Sequence, residues 1–318
     1  MYSKNDYIKG VAFDMTNRFA ILQMGSYYKL LLNLKIRFEE IISWFFKDYL
    51  KNEFKIKNFQ IEIPSEESSY LEKCRMIAPE MEKSLKQYRL WVRDKKITQE
   101  LLNFSSPIQF SDIPSAISRK YVYLNNNSEK CKQIMYLLFS DQTLLGYFRK
   151  NGKGKEYKNL DNALISRNVN IKEYEKFQKI SIQYLCDNDI LNISNTGYLS
   201  YIDKDIIRIL KDLYFNEVIS YYYYPGETRC KFDILFKKDY IIYGDTLFSK
   251  PEIDYLNFYL NKSTFTNGLD LRNSYLHGTE SEQHEEDYMI FLMLYVLMII
   301  KINDDLCLYD KYVNKEFK

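Results

Sequence analysis

The side chains best suited to chemistry in this 318-residue chain lie in one segment, Phe265-Thr-Asn-Gly-Leu-Asp-Leu-Arg-Asn-Ser-Tyr-Leu-His-Gly-Thr279. Arg272 and His277 stand five positions apart, Asn273 follows the arginine and Gly278 follows the histidine. On a continuous helix that offset turns the two side chains about 140° apart, so they converge only if the helix bends or ends between them; Gly278 supplies a stop. The trio suits a phosphodiester. Arginine offers a permanently charged fork to phosphate oxygens, histidine exchanges a proton near neutral pH, and the asparagine amide orients the histidine or holds substrate. With RNA the 2′-hydroxyl is an internal nucleophile, so in-line attack needs a proton acceptor or donor and charge stabilisation, with no metal or other cofactor required. The plainer alternatives are Arg272 paired with a surface acid such as Asp270, and His277 satisfying backbone carbonyls at a helix terminus.

The rest of the composition narrows the field. His277 and His284 are the only histidines, too few for most zinc sites. His284 lies in Glu280-Ser-Glu-Gln-His-Glu-Glu-Asp287, where a solvated acidic helix start accounts for it better than a metal site does. Cys74, Cys131, Cys186, Cys230 and Cys307 are scattered and never form a C-x-x-C pair, which argues against a disulfide framework and a zinc knuckle and fits free thiols in a reducing cytoplasm. Lys and Arg total 45 against 43 Asp and Glu, a net charge of +2 that leaves nucleic-acid binding to a local patch. The basic stretch Lys150 to Lys158 lacks the Gly-Lys-Ser/Thr ending of a phosphate-binding loop and reads as a linker. The longest apolar run, Tyr288 to Ile300, falls short of the roughly 20 residues a membrane span needs, and no apolar signal region follows Met1. No membrane partner and a cytoplasmic location are expected.

Stepping along the chain, helical spacing of apolar residues predicts a helix over about Ser26 to Asn52, carrying Tyr27, Leu30, Leu31, Leu34, Ile41, Ile42, Phe45 and Phe46. A second, about Ser69 to Asp94, opens on the capping-box spacing Ser69-Tyr-Leu-Glu72, and Pro79 should kink or divide it. Phe104 to Pro114 reads as loop, and helical character returns over about Ser128 to Arg149. The Gly- and Lys-rich stretch after Arg149 is the expected boundary, dividing the chain into 1–155 and 156–318. Beyond it come a helix over Ile171 to Asp187, a hairpin of Ile190 to Ser194 and Tyr198 to Ile202 around Asn195-Thr-Gly197, and a helix over Asp203 to Tyr214. That order loosely resembles a winged helix. Glu217 to Tyr224 reads as a strand whose tyrosine run packs rather than stacks bases. A helix near Ser249 with Pro251 in its first turn and a final helix over about Glu285 to Asn303 flank the Arg272 segment. No internal repeat of fixed period is visible. The fold class is mainly α, with a few short strands in the middle.

The segment Arg272-Asn273-Ser-Tyr-Leu-His277, set before a long apolar helix, resembles the motif of the HEPN superfamily, the higher-eukaryote-and-prokaryote nucleotide-binding helical domains, over about Asp245 to Leu306. The resemblance implies a C-terminal helical bundle preceded by a helical N-terminal region that senses a trigger, binds RNA or restrains the nuclease. It also implies a homodimer joining two motifs in a metal-independent endoribonuclease site, with Arg272, Asn273 and His277 as catalytic residues. Many such proteins are bacterial toxins or antiphage effectors, so RNA is the implied substrate and an antitoxin or phage trigger a further partner. The dimer is expected to bury part of Tyr288 to Ile300. Two rivals remain: a catalytically silent HEPN scaffold, and a winged-helix nucleic-acid binder that dimerises through its C-terminal bundle.

Overall fold

A computed structural model describes residues 5–103, 108–150, 153–262, 264–278 and 282–314. The chain is mainly α and divides into two compact units, residues 1–118 with 245–318, and 119–244. The expected boundary near residue 155 is therefore corrected: the second unit is inserted into the first. The Gly- and Lys-rich sequence that reads as a linker contributes to two antiparallel strands, Tyr147–Lys150 and Lys153–Glu156, and residues 151–152 lie outside the described residues.

The first unit begins with α1 (Val11–Asn33), α2 (Phe38–Trp44) and α3 (Leu50–Phe54), the latter two joined by a π turn over Phe45–Tyr49. The helix expected from Ser26 thus starts fifteen residues earlier and breaks after Asn33, where Lys35 adopts φ +60° and the Ile36 N–H reaches back to the Leu31 carbonyl at 2.9 Å. That left-handed closure satisfies the orphan carbonyls of the last turn. α4 (Tyr70–Asp94) starts on the capping box read from the sequence: the Glu72 N–H donates to Ser69 Oγ at 3.3 Å, and the Ser69 N–H donates to the Glu72 carboxylate at 2.7 Å. Pro79 neither divides nor ends it. The proline is exposed, on the solvent side of the helix. α5 (Gln99–Asn103) follows; of the loop expected over Phe104 to Pro114, residues 104–107 lie outside the described residues and the rest is irregular apart from a 3-10 turn at Phe110–Asp112 and a bridge at Pro114.

The second unit contains β1 (Tyr121–Leu124), α6 (Glu129–Phe139), the hairpin of β2 (Tyr147–Lys150) and β3 (Lys153–Glu156), α7 (Leu160–Ser166), α8 (Lys176–Asp187), the hairpin of β4 (Leu191–Ile193) and β5 (Leu199–Tyr201), α9 (Lys204–Asn216), β6 (Val218–Ser220), α10 (Gly226–Lys237) and β7 (Ile241–Gly244). β1 is the centre of an antiparallel sheet ordered β6-β1-β7. The helix expected to reach Arg149 stops at Phe139, and the strand expected to reach Tyr224 stops at Ser220, giving way to a 3-10 turn over Tyr221–Tyr223. The tyrosines pack: Tyr221 against Phe232, and Tyr224 through its hydroxyl on Asp212 at 2.7 Å.

This unit repeats itself at an offset of 50 residues, contrary to the sequence reading. α7 and the last turns of α9 end at Ser166 and Asn216; 3-10 turns follow at Ile171–Glu173 and Tyr221–Tyr223; α8 and α10 occupy 176–187 and 226–237. Asp189 and Asp239 then turn left-handed at φ +57° and +63°, and the N–H groups of Ile190 and Tyr240 close on the carbonyls of Leu185 and Leu235, both at 3.0 Å. Buried positions correspond as well, among them Leu160 with Leu210, Ile182 with Phe232 and Leu185 with Leu235. Burial and turn geometry recur throughout, and residue identity at only a few positions, such as Leu160 with Leu210, Leu185 with Leu235 and Asp189 with Asp239.

The chain returns to the first unit with α11 (Lys250–Leu260), which starts after Ser249 with Pro251 in its first turn as expected and is capped reciprocally by Ser249 and Glu252, α12 (Leu271–His277) and α13 (His284–Tyr309). α13 is the unit's axis. Tyr288, Phe291, Leu292, Leu294 and Tyr295 are fully enclosed in the same chain, packed with residues of α1, α2 and α4. Of the apolar run expected to serve a dimer in part, Tyr288 to Tyr295 belong to the intramolecular core, because the N-terminal helices supply the partners, while Leu297 and Ile300 are exposed. No helix among the described residues is long and apolar enough to cross a membrane.

Candidate functional site

α12 is positioned from both ends. Gly268 passes so close to the carbonyls of Phe258 and Phe265 that a Cβ would sit 3.3 and 3.2 Å from them. Asp270, left-handed at φ +55°, precedes the helix, and its Oδ1 accepts from the Lys262 N–H at 3.0 Å and from Asn273 Nδ2 at 2.7 Å. Leu271 and Tyr275, one turn apart, bury the inner face. Gly278 at φ +73° ends the helix.

The helix ends after His277, not between Arg272 and His277, so the two side chains diverge as an unbroken helix requires. Arg272 points to α4 and pairs with Glu82, not with Asp270; its Nη1 also donates to Asn273 Oδ1 at 3.3 Å. Lys86 Nζ holds the other Glu82 oxygen at 2.8 Å. Burial pushes the Glu82 carboxyl up, but the Lys86 hydrogen bond and the Arg272 and Lys86 charges outweigh it and hold the group below its ordinary range. Beside Arg272 lies a cavity of about 20 Å³ between α4, α11 and α12, room for a single water. His277 is exposed at the other end of the helix. The structure therefore puts Arg272 and Asn273 together and leaves His277 apart.

A second cluster, which sequence reasoning passed over, forms where α12 leads to α13. Tyr275 Oη donates to Asp287 Oδ2 at 2.8 Å and lies 2.9 Å from His284 Nδ1. A phenol has one proton, so with that proton on Asp287 its oxygen accepts from His284 Nδ1–H, which leaves Nε2 as the imidazole's free position. Burial, then the Asp287 contact, pushes the Tyr275 hydroxyl above its ordinary range and keeps it protonated. The Cys74 thiol donates to the His284 carbonyl at 3.5 Å and is pushed up to about 12 by burial, so it is a packing group rather than a thiolate nucleophile. His284 lines an open cleft of about 820 Å³ with Arg18, Ser26 and Lys29 of α1 and with Glu285 and Glu286. The three-residue spacing of His284 and Asp287 on one helix face was the available signal. Its partner, Tyr275, sits inside the Arg-to-His motif as a position that seemed to carry no chemistry.

Among the described residues no group of three or more His, Cys, Asp and Glu is arranged to hold a metal ion. No protein-family model, curated protein or solved structure matches this chain.

Proposed function

We propose that the chain is a metal-independent endoribonuclease of HEPN type, of the kind that acts as a toxin or antiphage effector, and that its site is completed by a second copy. The observation that supports this reading is the placement of Arg272, Asn273 and His277 on one short helix, with His277 open to solvent and Arg272 partly so. Because the two side chains diverge within one chain, an Arg272–His277 pair across two copies is the arrangement that serves one phosphodiester. Arg272 and Asn273 then hold the phosphate, and His277 transfers the proton between the 2′-hydroxyl or the leaving oxygen and solvent.

The competing scaffold reading draws on Glu82, which already neutralises Arg272. Incubating the purified full chain with mixed RNA in EDTA separates the two. Cleavage by the wild type that falls by about 10²-fold or more in both Arg272→Ala and His277→Ala supports the nuclease. Undiminished cleavage in both variants removes the site, and an inert wild type leaves the scaffold.

A further inference from the structure

We propose that His284 is the general base of the cleavage reaction, taking the 2′-hydroxyl proton on its Nε2, and that Tyr275 and Asp287 are the positioning residues that aim it. The inference rests on the nuclease reading and deepens it. In-line cleavage moves two protons on opposite sides of the phosphorus, one off the 2′-hydroxyl and one onto the departing 5′-oxygen. His277 serves one of them. The other needs a second group on a separate element, and His284, the chain's remaining imidazole, opens α13 where His277 closes α12.

The two histidines are held differently. No hydrogen bond among the described residues orients the exposed His277 ring. His284 is fixed twice: its Nδ1 lies 2.9 Å from Tyr275 Oη, and its carbonyl accepts from the Cys74 thiol at 3.5 Å. Tyr275 is 2% exposed, packs edge-on to Phe291 and donates its own proton to Asp287, which is 7% exposed. A buried carboxylate behind an intervening hydroxyl sets the imidazole tautomer, with hydrogen on Nδ1 and the lone pair on Nε2. That nitrogen has no partner among the described residues, and His284 lines the open cleft. The fold thus ties down the proton-bearing nitrogen and leaves the basic one to a ligand.

The cleft suits an RNA strand along α1. Arg18 and Lys29 line it eleven residues apart, hence on one face of the helix and about 16 Å from each other along its axis, so they hold phosphates to either side of the reacting one. Glu282, Glu285 and Glu286, at the start of α13, keep the strand on the α1 side and offset the charge that His284 acquires. In the reaction the 2′-oxygen bonds to phosphorus as its proton passes to His284 Nε2. The bond from phosphorus to the 5′-oxygen breaks as protonated His277 delivers a proton there. A 2′,3′-cyclic phosphate and a 5′-hydroxyl end result, and solvent returns both imidazoles to their starting forms. Throughout, Nδ1–H of His284 stays on Tyr275, whose proton stays on Asp287.

An RNA whose departing 5′-oxygen is replaced by sulfur tests the assignment, because a thiolate leaves without needing a proton. On ordinary RNA the purified full chain should lose about 10²-fold or more in rate through either His277→Ala or His284→Asn. On the sulfur-leaving RNA the His277→Ala loss should largely vanish while the His284→Asn loss persists. Tyr275→Phe, which keeps the imidazole but releases it, should cost about tenfold on both substrates. Because His284 is partly exposed, His284→Asn should keep the wild-type circular-dichroism spectrum. A His284→Asn chain that cuts ordinary RNA at the wild-type rate overturns the proposal, as does one rescued by the sulfur-leaving RNA. A wild type inert towards both RNAs brings down the nuclease reading and this assignment together; a wild type that cuts and loses rate only through His277→Ala brings down the assignment alone.

Discussion

Near each of its ends α13 buries an aspartate against a tyrosine from another helix: Asp287 with Tyr275, and Asp305 with Tyr88. The pairs differ in what adjoins them. Asp305 is fully enclosed and accepts from the Tyr88 hydroxyl at 2.5 Å, the Ser115 hydroxyl at 2.6 Å and the Ala116 N–H at 2.6 Å, so its charge is spent on tying the 115–116 segment and α4 to α13. At the other end the hydrogen-bond chain continues from Asp287 through Tyr275 to an imidazole at the rim of an open cleft. The same residue pair is a rivet where donors converge on it, and a means of orienting a proton-transfer group where the chain leads outward.

The strongest test of that contrast is Asp305→Ala. It strips the acceptor from two buried hydroxyls and a part-buried N–H and should cost about 3 kcal/mol or more in urea unfolding. A cost under about 1 kcal/mol would mean that Asp305 holds little together. Tyr275→Phe should cost less, about 1 kcal/mol, because the ring's packing survives the loss of its hydroxyl. Its signature is spectroscopic. With only two imidazoles in the chain, the His284 ring resonances should move while those of His277 stay; equal movement of both, or of neither, would dissolve the distinction between the two ends.

Local features were legible in the sequence and non-local ones were not. The capping box at Ser69 and the proline in the first turn after Ser249 act within four residues, and α4 and α11 start there. The turn at Gly197 appears where Asn195-Thr-Gly197 places it, at φ +89°. By contrast, Arg272 meets Glu82 across 190 positions of chain, a pairing made by α12 packing on α4 and invisible to spacing. The 50-residue repeat is faint in the sequence because few of its paired positions, such as Leu160 with Leu210 and Leu185 with Leu235, keep their residue, while others, such as Ile182 with Phe232 and Ile190 with Tyr240, share only burial. Leu30 and Leu34 illustrate a third limit: their spacing marks them for one helix, yet α1 ends at Asn33 and both side chains are exposed, because periodicity identifies an apolar face without saying whether anything covers it.

The smallest effect bears most directly on the candidate site. Glu82 sits lower in its titration in the folded chain than the roughly 4.3 of a free glutamate, so the stability it adds is present above that value and lost as pH falls through the folded one. Glu82→Gln should therefore lower stability by under about 1 kcal/mol at neutral pH, since Arg272 and Lys86 remain partly solvated. The gap between wild type and variant should stay constant down to about pH 5 and narrow below about 4.3. A gap that ignores pH would show that the carboxylate is not held ionised by Arg272. The guanidinium would then be uncommitted in the resting protein, which favours the phosphate-binding reading over the scaffold. A gap that closes on schedule means that any RNA must displace Glu82 to engage Arg272, and Glu82→Gln should then bind or cut RNA better than wild type.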